Sequence, residues 1–169
     1  KGYQSVTAVG VTFSFINDSQ NLTGMLVAET SGWLSVGFAP QDRMQGANIV
    51  IGYVQAGNVF FRDDFGTGRF SHDSDENLKW QNGEKINPGI NNVTAVSGEE
   101  TSNPKRTRIT FTIPLNSGDP FDRILVPGER YNIILAKGSG DDFIKKHTDR
   151  GTAEITLMKI TTKKSGTAK

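Results

Sequence analysis

The sequence predicts an all-β protein, specifically an antiparallel β-sandwich of the immunoglobulin-like kind. Three observations lead to this prediction. Most of the chain alternates between apolar and polar residues with a period of two, which is typical of strands with one buried face. Turn-forming residues separate these stretches at short intervals, as in sandwich proteins. No segment shows a convincing helical period of 3.6 residues.

The predicted strands follow one another along the chain as short alternating segments. The first is rich in Val, Thr and Phe and ends at Asn17-Asp18, and RTRITFTI at residues 106–113 alternates most cleanly. The segment RYNIILAKG contains a short apolar run, which is typical of a strand covered on both faces. Strands are predicted at residues 6–18, 21–30, 31–40, 48–54, 58–64, 92–96, 106–113, 130–138 and 152–161. Residues 66–89 are rich in Gly, Asp and Asn and are expected to be a loop without a core element.

Composition excludes several classes of function. The 169 residues carry a net charge of +1 and no cysteine. Disulfides, catalytic thiolates, cysteine-based zinc sites, iron–sulfur clusters and covalent c-type haem are therefore excluded. Basic residues cluster only near the C-terminus, so nucleic acid is not an expected partner. No apolar run approaches the ~20 residues that span a bilayer.

The chain is expected to form one domain followed by a polar tail. A single sandwich is predicted over residues 1–160, because this length supplies a core without disulfides or metals. Residues 161–169 (TTKKSGTAK) are polar and would serve as a linker or as a tether to a membrane anchor or another domain. Since the sequence begins with Lys1 rather than Met, a removed signal peptide is compatible with it.

Two side chains, Met44 and His147, are candidate metal ligands. The chain has only three methionines and two histidines, so each can be weighed individually. Met44 lies in a polar loop between two apolar runs, and His147 lies in a polar loop just before the last predicted strand. On residue type alone, a methionine more often fills a core and a lone histidine more often lies at the surface. If the two loops meet in the fold, however, they would ligate a haem iron from both sides.

The order of four motifs resembles the DOMON domain. Its front half is similar to GWLSVGFAPQDRMQGANIVIGYV at residues 32–54, followed by VFFRDDFGTG. Its back half is similar to FTIPLNSGDPFDRILVPGERYNIILAKG at residues 111–138, followed by H-x-x-R-G before the final strand. The resemblance covers residues 6–160 and implies a DOMON-type sandwich.

The resemblance also implies a function. One branch of the family, similar to the cytochrome domain of cellobiose dehydrogenase, binds b-type haem through one methionine and one histidine. Met44 and His147 occupy those two positions. The implied protein is an extracytoplasmic b-type cytochrome domain, secreted, periplasmic or on the cell surface. It would bind one non-covalent haem b and pass single electrons between redox partner proteins, without enzymatic turnover of its own.

Further residues have predicted roles at or near the haem site. Lys145, Lys146 and Arg150 flank His147 and would attract the anionic haem propionates. His72, in an acidic polar segment, is expected to be solvated and is the fallback ligand if the iron has two histidines. The inward faces of residues 9–15, 33–38 and 49–54 are expected to line the haem slot.

Two other classes of function remain open from the sequence. A haem-free carbohydrate-binding or interaction module on the same scaffold would use Trp33 or Trp80 for stacking on sugars, although Trp33 lies in a predicted strand and suits the core. A small hydrolase with paired carboxylates is the third alternative. The acidic run from Asp63 to Glu76 contains oxygen donors for calcium but lacks the EF-hand spacing, so a solvated loop is the favoured interpretation.

Overall fold

Two antiparallel β-sheets packed face to face form the protein in a computed structural model that describes residues 2–81, 84–85 and 88–160. The predicted β-sandwich is thereby confirmed. In chain order the strands are β1 (Gln4–Ala8), β2 (Val11–Asn17), β3 (Asn21–Ala28), β4 (Leu34–Phe38), β5 (Asn48–Gln55), β6 (Asn58–Gly68), β7 (Ser71–Ser74), β8 (Trp80–Gln81), β9 (Glu84–Lys85), β10 (Thr94–Ser102), β11 (Lys105–Pro114), β12 (Arg130–Lys137) and β13 (Asp149–Thr156). A 3-10 turn, Asp75–Asn77, follows β7.

The strands are divided between a five-stranded and a six-stranded sheet. The five-stranded sheet has the order β1-β2-β3-β11-β10, and the six-stranded sheet has the order β13-β12-β4-β5-β6-β7. Strands β8 and β9 form a separate short hairpin. In the described part of the chain, no helix has the length and apolarity required to cross a membrane.

Aromatic and aliphatic side chains from both sheets fill the space between them. Phe13 on β2 lies edge-on to Phe38 on β4, with ring centroids 5.8 Å apart, and is stacked with Phe111 of its own sheet. All three rings are fully buried, and each buried phenylalanine contributes about 2–3 kcal/mol through the hydrophobic effect. This packing fixes the alternation in the six-stranded sheet: Leu34 and Val36 face the core with Phe38, so the residues between them face away from it.

The structure corrects several predicted strand boundaries. The predicted strand at residues 6–18 is two strands, β1 and β2, joined by a tight turn. The turn residues Val9 and Gly10 have φ values of 48° and 73°, the left-handed pair that a type I′ hairpin requires. The apolar Val9 gave no turn signal, because a β-branched residue is typical of a strand interior.

The expected loop over residues 66–89 is also wrong in part. Strand β6 continues through Gly68, and β7 pairs with it at the edge of the sheet. Polar side chains carry this edge pairing, so the apolar pattern that identifies a strand is missing. Strand β10 extends to Ser102, beyond the predicted residue 96. The predicted tail at residues 161–169 lies outside the described residues.

Candidate functional site

The outer face of the six-stranded sheet, which is turned away from the five-stranded sheet, carries an apolar strip. Strand pairing places Gly37 between Ile49 on β5 and Ile134 on β12. A Cβ atom added at Gly37 would lie 2.6 Å from Ile134 Cγ1 and 3.2 Å from Ile49 Cγ1, so the two isoleucines close over this glycine. Ile51 extends the strip along β5. Ile49 and Ile51 are only 4% and 3% exposed, although they point away from the five-stranded sheet.

The turn that carries Met44 lies at one end of the strip. Residues 39–47 connect β4 to β5, and the Met44 carbonyl accepts a hydrogen bond from the Ala47 N–H at 3.0 Å. This carbonyl lies directly over Gly66, where an added Cβ would come within 1.7 Å of it. Gly66 follows Asp64 by two residues on β6, so both face outward. The backbone of the half-buried Met44 is therefore held at the outer face.

The loop that carries His147 lies at the opposite end of the strip. Residues 138–148 connect β12 to β13, and Trp33 holds this loop by donating its indole N–H to the Lys145 carbonyl at 3.1 Å. The ring of Phe143 packs on Tyr53, with centroids 5.0 Å apart, and lies under the Arg62 guanidinium. Tyr53 and Arg62 both belong to the outer face, as register with Ile51 shows.

Strand register therefore shows how far apart the loops of the two predicted ligands lie. The Met44 turn follows Phe38, which pairs with Ile133, whereas the His147 loop follows Lys137, which pairs with Leu34. The length of β4, about 13 Å for four residue steps, separates the two loops. The two loops approach one face of one sheet from its two ends. His147 is exposed and Met44 is half-buried.

The expected lining of a slot between the sheets is not what the structure shows. The inward side chains of β2, β4 and β5, among them Phe15, Val36 and Val50, pack against one another in the core. A space for a large ligand is therefore not available on these faces. The outward side chains Ile49 and Ile51 of β5 lie beside Gly37 of β4 in the apolar strip.

A charged network borders the strip on the β6 side. The Arg62 guanidinium donates two hydrogen bonds to Asp64, at 2.6 and 2.7 Å, and His72 Nδ1 lies 2.5 Å from the same carboxylate. Burial by itself would raise the pKa of Asp64, but the hydrogen bonds from His72 and Arg62 outweigh it, so this pKa lies below its ordinary value. The expectation that His72 is a solvated residue is wrong: it lies in β7, is half-buried and bonds to Asp64.

Three other carboxylates, Asp63, Asp75 and Asp122, meet between the sheets near the β6–β7 edge. One oxygen of each lies within 4.8 Å of the others. Burial, followed by the charge of Asp122, raises the pKa of Asp63 to about 8. Burial, followed by the charge of Asp63, raises the pKa of Asp75 to about 9. The interpretation of the acidic run as a solvated loop is therefore wrong for its three buried carboxylates, Asp63, Asp64 and Asp75.

Comparison with known families decides what the scaffold is. The family model described as the DOMON domain matches residues 6–138. The chain belongs to the DOMON family. The match covers β2 to β12 in full, and it includes Met44 but ends before His147.

The fold of this DOMON domain is also similar to the folds of solved proteins. It is similar to the cytochrome b domain of pyranose dehydrogenase from Coprinopsis cinerea, with a TM-score of 0.63 and 11% identity over 91% of this chain and 81% of that chain. It is also similar to the cytochrome domain of cellobiose dehydrogenase from Myriococcum thermophilum, with a TM-score of 0.59 and 12% identity over 92% of this chain and 81% of that chain. At these identities the likeness establishes a shared fold.

The remaining predicted site residues of the DOMON domain lie around the His147 loop. Lys146 and Arg150 are exposed, as is Lys145, whose Nζ lies 3.9 Å from Asp142. Trp33, considered as a sugar-stacking residue, is 5% exposed and anchors the loop from below. The side chain of Trp80, the other candidate, lies outside what the structure describes. Sequence reasoning missed Asp122, because nothing in the motif DPFD indicates a partner sixty residues away.

Proposed function

We propose that this DOMON domain binds one b-type haem on the outer face of its six-stranded sheet, with Met44 and His147 as axial ligands, and transfers single electrons. The observation that carries the proposal is the position of the two ligand loops at opposite ends of one apolar strip. Axial ligands must reach the iron from opposite sides of the macrocycle, and a loop with a candidate ligand at each end of the strip supports such an approach. The similarity to two cytochrome domains supports the same conclusion.

The residues present fit this prosthetic group. Gly37, Ile49, Ile51 and Ile134 form an apolar strip between the two candidate ligand loops, and an apolar lining favours an apolar macrocycle over water. Lys145, Lys146 and Arg150 supply positive charge beside His147 for the propionates. When bound with two protein ligands, the haem supplies one-electron redox chemistry without an open site for substrate. The domain therefore acts as an electron carrier rather than as an enzyme.

The cellular setting is part of the same proposal. A carrier without turnover requires a separate electron donor and acceptor, so we infer a redox partner protein or domain. The DOMON family and the cytochrome domains that share the fold favour an extracytoplasmic location. The polar residues 161–169 would link the domain to its partner or to an anchor.

Absorption spectroscopy tests the ligand assignment. After reconstitution with haem, the wild-type protein should show a sharp Soret band and, on dithionite reduction, resolved α and β bands of a six-coordinate low-spin haem. Met44→Leu and His147→Ala should each abolish this spectrum. Met158→Leu is the matched control, because Met158 is half-buried near the β13 end and contacts Asn17 through its backbone.

A fourth variant separates the two histidines. His72→Gln keeps a hydrogen-bond donor for Asp64 but removes the imidazole. It should retain the low-spin spectrum. Loss of that spectrum in His72→Gln but not in His147→Ala would make His72 the ligand and overturn the assignment. A protein that stays colourless in excess haem would reject electron transfer and favour a haem-free module, to be tested by glycan-binding screens.

A further inference from the structure

Three carboxylates from distant parts of the sequence converge at a site separate from the apolar strip. Asp63 lies on the inner face of β6, Asp75 in the 3-10 turn after β7, and Asp122 in the connection 115–129 between β11 and β12. Their nearest oxygens all lie within 4.8 Å of one another. Like charges at this separation repel strongly in a buried site. The fold nevertheless brings them together from three segments.

Some carboxylate oxygens of this cluster accept hydrogen bonds and others do not. Asp63 accepts the Asn92 N–H on Oδ2 at 2.8 Å, and Asp122 accepts Asn92 Nδ2 at 2.9 Å and the Ser117 hydroxyl on its own Oδ2. The Oδ1 atoms of Asp63 and Asp122 and both oxygens of Asp75 have no hydrogen-bond partner among the described residues. Asp63 is 1% exposed and Asp75 is fully buried. Four buried carboxylate oxygens are thus left without donors, which is costly unless a ligand satisfies them.

No basic side chain neutralises these carboxylates in the described structure. The charges that act on Asp63 and Asp75 are those of other carboxylates, including Asp119 and Asp64. Arg62, on the same strand as Asp63, points to the outer face and is bonded to Asp64. The backbone around the cluster is tight, since a Cβ added at Gly89 would lie 2.7 Å from Asp75 Cβ.

We propose that Asp63, Asp75 and Asp122 bind one calcium ion. The donors are all carboxylate oxygens, which hard cations prefer, and the absence of nitrogen or sulfur donors disfavours zinc and copper. Asp63 and Asp122 each present one free oxygen, whereas Asp75 presents two, so the protein supplies four ligand oxygens. A set this rich in protein oxygens favours calcium over magnesium, which usually retains several waters. The ion ties β6, the turn after β7 and the β11–β12 connection together.

Isothermal titration calorimetry of the whole chain, stripped with EDTA and desalted at neutral pH, tests the proposal with calcium, magnesium and manganese chlorides as separate titrants. We expect saturable binding of one calcium per chain and at least tenfold weaker binding of magnesium. With calcium about a hundredfold above its Kd, the melting temperature should rise by about 5–10 °C. No calcium heat and no melting shift at millimolar concentration would overturn the proposal, as would tighter binding of magnesium.

Substitutions locate the ion. Asp75→Asn and Asp63→Asn should each weaken calcium binding at least tenfold, whereas Asp149→Asn, at an exposed carboxylate at the start of β13, should not change it. In EDTA, Asp75→Asn should melt no lower than the wild type, because it removes one of three crowded charges and keeps the side-chain shape. Wild-type affinity in both cluster variants would place the ion elsewhere. The wild-type titration decides the proposal even if a variant does not fold.

Discussion

At the scale of single residues, the absence of a side chain at Gly66 determines where Met44 can lie. The Met44 carbonyl occupies the space that a Cβ at Gly66 would take. Two backbone hydrogen bonds join the same segments: the Gly66 N–H donates to the Ala47 carbonyl at 2.9 Å, and the Gly46 N–H donates to the Gly66 carbonyl at 2.8 Å. Gly66 on β6 thus positions Met44, a predicted ligand, on the turn between β4 and β5.

Gly66→Ala should therefore disturb the Met44 turn. The new methyl group would overlap the Met44 carbonyl, so the turn must move and strain its hydrogen bonds to β6. We expect a loss of about 2–3 kcal/mol in unfolding free energy, measured by chemical denaturation. Gly2→Ala is the control, since a Cβ there meets no atom within 4 Å. Equal stability of the two variants would contradict this view of the turn.

The sequence predicted the setting of Met44 but not the burial of Asp63 and Asp75. Met44 was expected in a polar turn between two strands, and it lies there, because the flanking polar residues interrupt two clear apolar runs. Asp63 and Asp75 were expected to lie in a solvated loop, since the acidic run lacks the EF-hand spacing. Their burial depends on Asp122 and Asn92, which reach them only through the tertiary fold, so local sequence gives no signal for it.

At the scale of elements, Trp33 links β4 to the loop that carries His147. Besides the hydrogen bond to Lys145, its backbone N–H donates to the Gly140 carbonyl at 3.2 Å, and its backbone carbonyl accepts the Gly138 N–H at 2.9 Å. The indole lies against Gly138, where a Cβ would come within 2.2 Å of Nε1. The loop therefore starts from a fixed position on the sheet.

Trp33→Phe should loosen this loop while preserving the sandwich. The variant loses the indole donor to the Lys145 carbonyl, which costs about 1 kcal/mol locally. Hydrogen exchange should become faster for amides in residues 139–147 and stay unchanged in β3. Tyr131→Phe is the matched control, because it removes a hydroxyl that accepts the Val126 N–H at 2.7 Å in another loop. Equal acceleration of residues 139–147 in both variants would argue against a specific anchor.

Element prediction succeeded where one face of a strand is buried and failed where that condition does not hold. Strands β3, β5 and β12 alternate or run apolar because they pack on the core, so their existence could be read from sequence. The edge strand β7 pairs through the polar residues Ser71, Asp73 and Ser74, and its pairing is invisible to hydrophobic periodicity. The β1–β2 turn was missed because a valine occupies a left-handed position that usually favours Gly or Asn.

At the scale of the whole molecule, the sandwich separates stability from its candidate sites. The aromatic core between the sheets is closed and holds the fold. The apolar strip, with a predicted ligand loop at each end, lies on the opposite side of the six-stranded sheet. The carboxylate cluster lies near the β6–β7 edge. It brings together β6, the turn after β7 and the β11–β12 connection. Substitutions in these three regions should therefore produce different phenotypes.

Adjacent residues on β5 allow a direct test of this separation. Ile49 faces the apolar strip and Val50 faces the core, and both are buried. Val50→Ala should lower the unfolding free energy of the haem-free protein by about 2 kcal/mol, because it leaves a cavity between the sheets. It should leave the rate of haem transfer to apomyoglobin unchanged. Ile49→Ala should accelerate haem transfer at least tenfold, because it removes apolar contact from the proposed binding surface. Faster haem transfer in Val50→Ala than in Ile49→Ala would place the haem between the sheets and refute the outer-face site.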